Sequence, residues 1–223
     1  MEDQGRGSVR LVDLSHTVTD GMVTYKGLPG PHICDFISRE RSAANYDDGS
    51  TFQIGRIEMV SNTGTYVDVP FHRFEEGEDL AQVGIERLAG LEGLCVSSPD
   101  MAAGPELFEG LDVAGKAVLV RTGWDRHWGT EAYQSGHPFL SEAAAQLLAE
   151  RGAALVGIDS HNIDDTRVRA RPVHTALLGA GIPICEHMTN LGALPPSGFR
   201  FTAAPPKVQG MGTFPVRAFA EVG

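Results

Sequence analysis

Three stretches of the chain hold residue types from which a hydrolytic site can be built. The first is Ser61-Asn62-Thr63-Gly64-Thr65-Tyr66-Val67-Asp68-Val69-Pro70-Phe71-His72, where polar groups interrupt a run of strand-forming residues. The second opens at His174 and closes at Gly179, and the third is Ile182-Pro183-Ile184-Cys185-Glu186-His187. Extended backbone sends successive side chains to opposite faces. Tyr66, Asp68, Pro70 and His72 therefore share one face, and Thr65, Val67 and Val69 the other. Two chemistries fit these residues. Asp68, His174 and Glu186, coming from separate elements, could hold one divalent ion, zinc or manganese, with a position left open for water. His161 is a further candidate ligand. Without a metal, His72 and the Asp68 or Glu186 carboxylate could serve as base and acid, with the Tyr66 phenol donating to a developing oxyanion.

Each residue also has a structural reading. Asp68 could cap a turn, and His174 or His16 could simply bond backbone at the end of an element. Asp164-Asp165 reads as a solvated turn, because adjacent extended residues face apart. His187, His127 and His137 read as ordinary surface or loop histidines. Trp124, Phe74 and Trp128 are candidate walls of a substrate pocket, with core packing as the alternative.

Gly64, Thr65, Asp68, Pro70 and His72 give the first stretch a resemblance to the cyclase or kynurenine formamidase-like metal-dependent hydrolases, whose signature runs His-x-Gly-Thr-His-x-Asp-x-Pro-x-His. The similarity begins at Asp13-Leu14-Ser15-His16 and extends to Glu186 and Leu191. It implies that Asp68, His174 and Glu186 are metal ligands and that His72 is a proton shuttle. It also sets Asn62 and Tyr66 where the family has two metal-binding histidines. A neutral amide oxygen is a poor substitute for imidazole, and a phenol with a pKa of ~10 resists the ionisation that ligation needs. The first metal position is expected to be lost, which leaves Asn62 free to contact substrate. The resemblance further implies a swivelling β/β/α fold, a homodimer or higher oligomer, and action as a hydrolase or cyclase on a small amide, formamide or lactone. The rival expectation is a small-molecule binding protein that keeps the pocket without catalysis.

The elements that must position these residues alternate between strands and helices. Arg10–His16, Thr51–Val60, Gly93–Val96 and Lys116–Trp124 read as strands, the last as a buried apolar run ending in a Thr-Gly-Trp loop. Ser141–Gly152 carries the signals of a helix, with Ser141 as N-cap and Gly152 just past its end. Ala153–Ile158 then reads as a buried strand, His174 starts a short helix stopped by Gly179-Ala180-Gly181, and Phe199–Ala204 and Phe214–Ala220 read as final strands. Short helical turns are expected at Val83–Leu88 and Pro105–Phe108, and a charged mobile loop at Arg39–Ser50. Helix followed by buried strand indicates an α/β fold. The expectation is a single domain over residues 1–223, with a mixed, partly barrel-like sheet flanked by helices.

Composition narrows the partners. Acidic residues outnumber basic ones by 29 to 18, a net charge of −11, which argues against a nucleic-acid surface and for small molecules. Residues 1–10 lack the apolar core of a signal peptide, and no run approaches the ~20 apolar residues of a membrane span. The expected location is cytoplasmic. Cys34, Cys95 and Cys185 are odd in number and far apart, so neither a disulfide framework nor a zinc knuckle is indicated. No Gly-x-Ser-x-Gly elbow, P-loop or Gly-x-Gly-x-x-Gly opening occurs.

Overall fold

The computed structural model describes residues 9–223, so the polar opening of residues 1–8 lies outside it. In chain order the strands and helices are β1 (Arg10–Asp13), β2 (His32–Ile37), α1 (Arg39–Ser42), β3 (Ile54–Glu58), β4 (Tyr66–Asp68) and β5 (Leu91–Ser97). They continue with β6 (Ala102–Ala103), β7 (Ala117–Arg121), β8 (Phe139–Leu140), α2 (Glu142–Glu150) and β9 (Leu155–Ile158). The last third holds α3 (Pro172–Gly179), β10 (Ile184–Glu186), β11 (Phe199–Thr202), β12 (Thr213–Pro215) and β13 (Phe219–Val222).

Nine strands form one mixed sheet, curled part-way to a barrel, in the order β1-β13-β11-β5-β7-β9-β10-β4-β12. The central pairs β5/β7, β7/β9 and β9/β10 are parallel, and the flanking pairs are antiparallel. Parallel strands are covered on both faces, and strand alternation here feeds two separate cores. Leu119 and Leu155 point into one with Phe201 and Cys185, while Val118, Val120, Val156 and Ile158 point into the other. The second core is closed by α2 through Ala144, Ala145 and Leu148 and by α3 through Val173, Leu177 and Leu178. Ser141 caps α2 by accepting from the Ala144 amide at 3.2 Å, as its sequence signals.

Two expectations about the elements are corrected. The reading of Phe214–Ala220 as one strand fails because β12 pairs with β4 at one end of the sheet, whereas β13 pairs with β1 and β11 at the other. The chain must cross between them, and it does so at 216–218, bonded to Thr65 and Ser15 on the way. The Arg39–Ser50 segment is partly ordered into α1, capped by the Ser38 hydroxyl on the Arg41 amide, and a following turn at Ala43–Asn45. Finally, β2 and β3 form a separate two-stranded ribbon whose strands lie largely in solvent. No helix among the described residues is long and apolar enough to cross a membrane.

Where β10 ends, histidines are packed among aromatic rings. His187 is fully buried and His137 is 3% exposed, so neither is the surface residue that its sequence context suggests. The chain turns inward at His187 with a left-handed φ of 54°, held by the Thr65 hydroxyl donating to its carbonyl at 2.6 Å. Its ring lies 5.1 Å from Tyr66 and 5.7 Å from His161, and His16 stacks on Trp128 at 4.0 Å. Burial pushes the imidazoles of His16 and His161 down to about 4 and that of His187 well below the ordinary range.

These rings bind protons more weakly folded than unfolded. Between the ordinary imidazole value of ~6.5 and about 4, the unfolded chain carries the extra protons, and stability falls as pH falls. The contribution is complete above that window. Denaturant unfolding followed from neutral pH downward should show a shallower loss in His161→Gln than in the parent chain. Equal slopes would remove His161 from this account.

Candidate active site

Strand β4 lies between β10 and β12, and this register brings the first and third stretches together. Asp68 is paired with Ile184 on one side and Thr213 on the other, and Tyr66 with Glu186 and Pro215. Pro70 cannot extend the ladder. The chain instead closes a tight turn over Pro70–His72, with the His72 amide donating to the Val69 carbonyl at 2.8 Å. The turn returns His72 to Asp68, its Nδ1 3.5 Å from Oδ1. Thr213 joins them, donating its hydroxyl proton to Asp68 Oδ1 and lying 2.8 Å from His72 Nδ1. A hydroxyl has one proton. With it given to Asp68, Thr213 must accept from His72 Nδ1, which makes Nε2 the acceptor in the neutral ring.

His174 arrives from the first turn of α3, where Pro172 occupies a position that needs no amide donor. Its anchor is Asp164, which is 1% exposed and accepts from the Val173 amide at 2.8 Å, the His174 amide at 3.1 Å and His174 Nδ1 at 2.6 Å. The reading of Asp164-Asp165 as a solvated turn is therefore half corrected. Asp165 faces outward to Arg167, whereas Asp164 turns inward because α3 has no cap of its own from Arg171. With Nδ1 fixed, His174 Nε2 faces Asp68 Oδ2 at 3.7 Å and Glu186 Oε1 at 3.8 Å. Burial alone would lower this imidazole, but the bond to Asp164 and the Asp68 and Glu186 charges outweigh it and lift it to about 10.

Glu186 is fully buried, which raises its carboxyl against the lowering effect of His174. Oε1 accepts from the Ile163 amide at 2.6 Å and Oε2 from the Tyr66 hydroxyl at 2.7 Å. Tyr25 adds a hydroxyl 3.0 Å from that of Tyr66, itself receiving the Asn162 amide at 2.8 Å. Burial and the Glu186 charge hold the Tyr66 phenol well above its ordinary range, so it is neutral. Its one proton points at Glu186, and its geometry makes it a brace for that carboxylate.

The structure thus brings His72, His174 and Glu186 to the wall of one cavity of about 320 Å³, which Asn62 and Tyr66 also line, with the Asp68 carboxylate buried beside His72 and His174. One ligating atom each from Asp68, His72 and His174 lie within 4.8 Å of one another. Asp68 Oδ2 is buried with no hydrogen-bond partner among the described residues. An unpaired buried carboxylate oxygen is costly. Together with an imidazole oriented by a carboxylate on its far nitrogen and a second carboxylate close by, it makes a donor set that fits one divalent ion. Asn62 and the neutral Tyr66 supply no comparable second set.

Other expected residues fall outside. His161 packs against Tyr25 at 4.6 Å and His137 at 5.2 Å, within the aromatic cluster and away from the ligating atoms. Trp124 bonds the Tyr133 carbonyl at 3.2 Å, and Phe74 packs by Gly179; neither lines the cavity. Tyr25, Asn162, Thr213 and Asp164 were the residues to find. Asp164 alone had a signal, a buried-helix start ten residues downstream without a local cap.

The profile of the family described as "Putative cyclase" matches residues 12–165. A kynurenine formamidase of Salinibacter ruber is 28% identical over 210 residues, covering 93% of this chain and 95% of its own. One from Geobacillus thermodenitrificans is 28% identical over 181 residues, covering 80% and 84%. Among solved structures, isatin hydrolase A from Labrenzia aggregata superposes with a TM-score of 0.80 at 22% identity, over 96% of this chain and 94% of that one. A structure described as a potential metal-dependent hydrolase with cyclase activity gives 0.77 at 24% identity, over 97% and 99%. With the profile spanning well over half of its length, this chain belongs to the cyclase family.

Proposed function

We propose that the chain hydrolyses a small amide or formamide in this cavity, with one divalent ion, zinc or manganese, held by Asp68, His174 and Glu186. The observation that carries the reading is the partnerless Asp68 Oδ2 facing His174 Nε2, which also faces Glu186 Oε1, with Asp164 fixing the imidazole from behind. The relatives named kynurenine formamidase, matched along most of the chain, support an amide-type bond as target. Bound there, the ion would supply Lewis acidity that polarises a carbonyl and acidifies water.

The remaining work falls to the protein. Water must lose a proton as its oxygen bonds to the carbonyl carbon, and the nitrogen must gain one as the carbon–nitrogen bond breaks. His72, with Nδ1 held by Thr213 and Nε2 bare, takes the first and returns it to the second. Tyr66 and the Ile163 amide keep Glu186 in place, and the Asn62 side chain offers the substrate a hydrogen-bonding group at the cavity wall.

A second reading rests on the raised pKa of His174, which lets an imidazolium stand between Asp68 and Glu186 where the ion would lie. In that case Asp68, His72 and His174 run acid–base chemistry alone. Titrating metal-stripped protein with zinc or manganese separates the two. Activity that rises and saturates near a single equivalent is expected, and full activity in excess chelator would leave only the second reading. His72→Ala should lower turnover by about a hundred- to ten-thousand-fold with an unchanged melting curve. Undiminished turnover would take His72 out of the mechanism, and no turnover by the parent chain of any formamide would favour a binding protein.

The same reading includes a cytoplasmic location and a homo-oligomer, a homodimer at the least. Three unbonded cysteines suit a reducing compartment. The β2–β3 ribbon sets Ile33 opposite Ile57 and Ile37 opposite Ile54, and leaves Phe36 62% exposed, an apolar surface that a second copy would cover. Light scattering should give a multiple of 23.8 kDa, reduced by Phe36→Glu with Ile57→Glu; a monomeric parent chain would contradict it.

A further inference from the structure

The cavity wall carries a second phenol, and its proton is not committed as that of Tyr66 is. Tyr25 belongs to the loop between β1 and β2, lines the cavity, and sets its hydroxyl 3.0 Å from that of Tyr66 and 3.4 Å from Glu186 Oε2. Its place is fixed from several sides. The Thr24 hydroxyl accepts from the Gly64 amide at 2.9 Å, and Gln134 holds the backbone on either side of Tyr25, donating to the Thr24 carbonyl at 3.3 Å and accepting from the Lys26 amide at 3.2 Å. The Tyr25 ring packs on His161 at 4.6 Å and stands edge-on to His187 at 5.2 Å.

The protons around Tyr25 can be placed one at a time. A backbone amide only donates, so the Asp164 amide, 2.9 Å from Asn162 Oδ1, fixes which end of that side chain is oxygen. Asn162 Nδ2 is then the end that meets the Tyr25 oxygen at 2.8 Å, and it must donate. Tyr25 therefore gives its own proton elsewhere. Its nearest acceptors are the His161 carbonyl and the Tyr66 oxygen, both at 3.0 Å and both uncharged, while the Tyr66 proton is held by Glu186 at 2.7 Å. A hydrogen bond to a charged acceptor is roughly twice as strong as one to a neutral acceptor, so an oxyanion arising beside Tyr25 draws the proton to itself. The donation from Asn162 polarises the phenol and strengthens the bond that it gives.

We propose that Tyr25 is the hydrogen-bond donor to the substrate's carbonyl oxygen as negative charge develops there, with Asn162 orienting it, a part that the sequence alone assigns to Tyr66. The proposal rests on the hydrolase reading above. Tyr25 and Glu186 share one wall of the cavity, so a carbonyl brought to Glu186 is brought to the phenol. As the oxygen of water bonds to the carbonyl carbon, the carbon–oxygen π pair moves onto the carbonyl oxygen, and Tyr25 stabilises that charge while keeping its proton. An ordinary phenol is protonated at neutral pH, and burial tightens its hold. Because the bond gains its strength only once the charge has formed, it lowers the barrier without tightening ground-state binding.

The test compares formanilide with thioformanilide, whose sulfur is a weak acceptor, in metal-loaded protein. Tyr25→Phe should lower kcat for formanilide by about a hundred- to a thousand-fold with KM nearly unchanged, and the oxygen-to-sulfur ratio in kcat should fall by about tenfold or more. A merely structural role would slow both substrates equally, so equal losses, or none, would overturn the proposal. Should Tyr25→Phe fail to fold, Asn162→Asp takes its place: it keeps an oxygen for the Asp164 amide but turns an acceptor towards Tyr25. The same fall in the ratio is expected there with the phenol still present, and an unchanged ratio would count against Tyr25. If the parent chain hydrolyses no formamide the hydrolase reading fails, and calorimetry decides Tyr25 separately. The tetrahedral anion N-phenyl methylphosphonamidate should bind more tightly than planar acetanilide, and Tyr25→Phe should lose most of that preference. A preference kept in full by the variant, or absent from the parent chain, refutes Tyr25 as the donor.

Discussion

Three carboxylates buried around one imidazole set the terms for the rest of the structure. Asp68, Asp164 and Glu186 are each at most 1% exposed, and all three reach His174. Burying charge without compensation is costly, and removing one partner from such a group costs more than the group contributes. The surrounding fold is the compensation. Asp164 spends its oxygens on two α3 amides and His174 Nδ1, Glu186 on the Ile163 amide and Tyr66, and Asp68 Oδ1 on Thr213. Among these oxygens only Asp68 Oδ2 is left without a hydrogen-bond partner, and it faces His174 Nε2, where the proposed ion would sit.

That arrangement explains why β4 is short and fully buried, and why it ends in a proline turn. A longer strand would carry His72 away along the sheet, whereas the turn over Pro70–His72 returns it to Asp68. Tyr66 makes sense in the same frame. Where the family resemblance places a metal-binding histidine, this chain has a phenol that braces Glu186 and, with Tyr25 and Asn162, fills the adjoining space with hydrogen bonds. On the proposed reading, the altered signature gives up one ligand set and braces the other.

Much of this could be read from the residues. The alternation in Tyr66–Asp68, the apolar runs of β7 and β9 and the capped α2 are local signals, and local signals survive folding. So did the convergence of Asp68, His174 and Glu186, because a strand, a helix start and a strand end naturally meet at one edge of an α/β sheet. What escaped depends on distance in the chain. Thr213 lies 145 residues from Asp68, and Tyr25 lies 161 from Glu186. In sequence Asp164 reads as half of a turn, because the α3 amides it accepts from lie nine and ten residues further on. His187 looked like a loop residue because nothing local announces a left-handed turn into a core. His161, Trp124 and Phe74 were drawn towards the site by type, and packing sent them elsewhere.

The most direct measurement is anomalous diffraction from crystals grown with zinc or manganese, collected on either side of the metal edge. One peak bounded by Asp68, His174 and Glu186 is predicted. An empty floor in metal-replete crystals would contradict the account, as would a second peak between Asn62 and Tyr66.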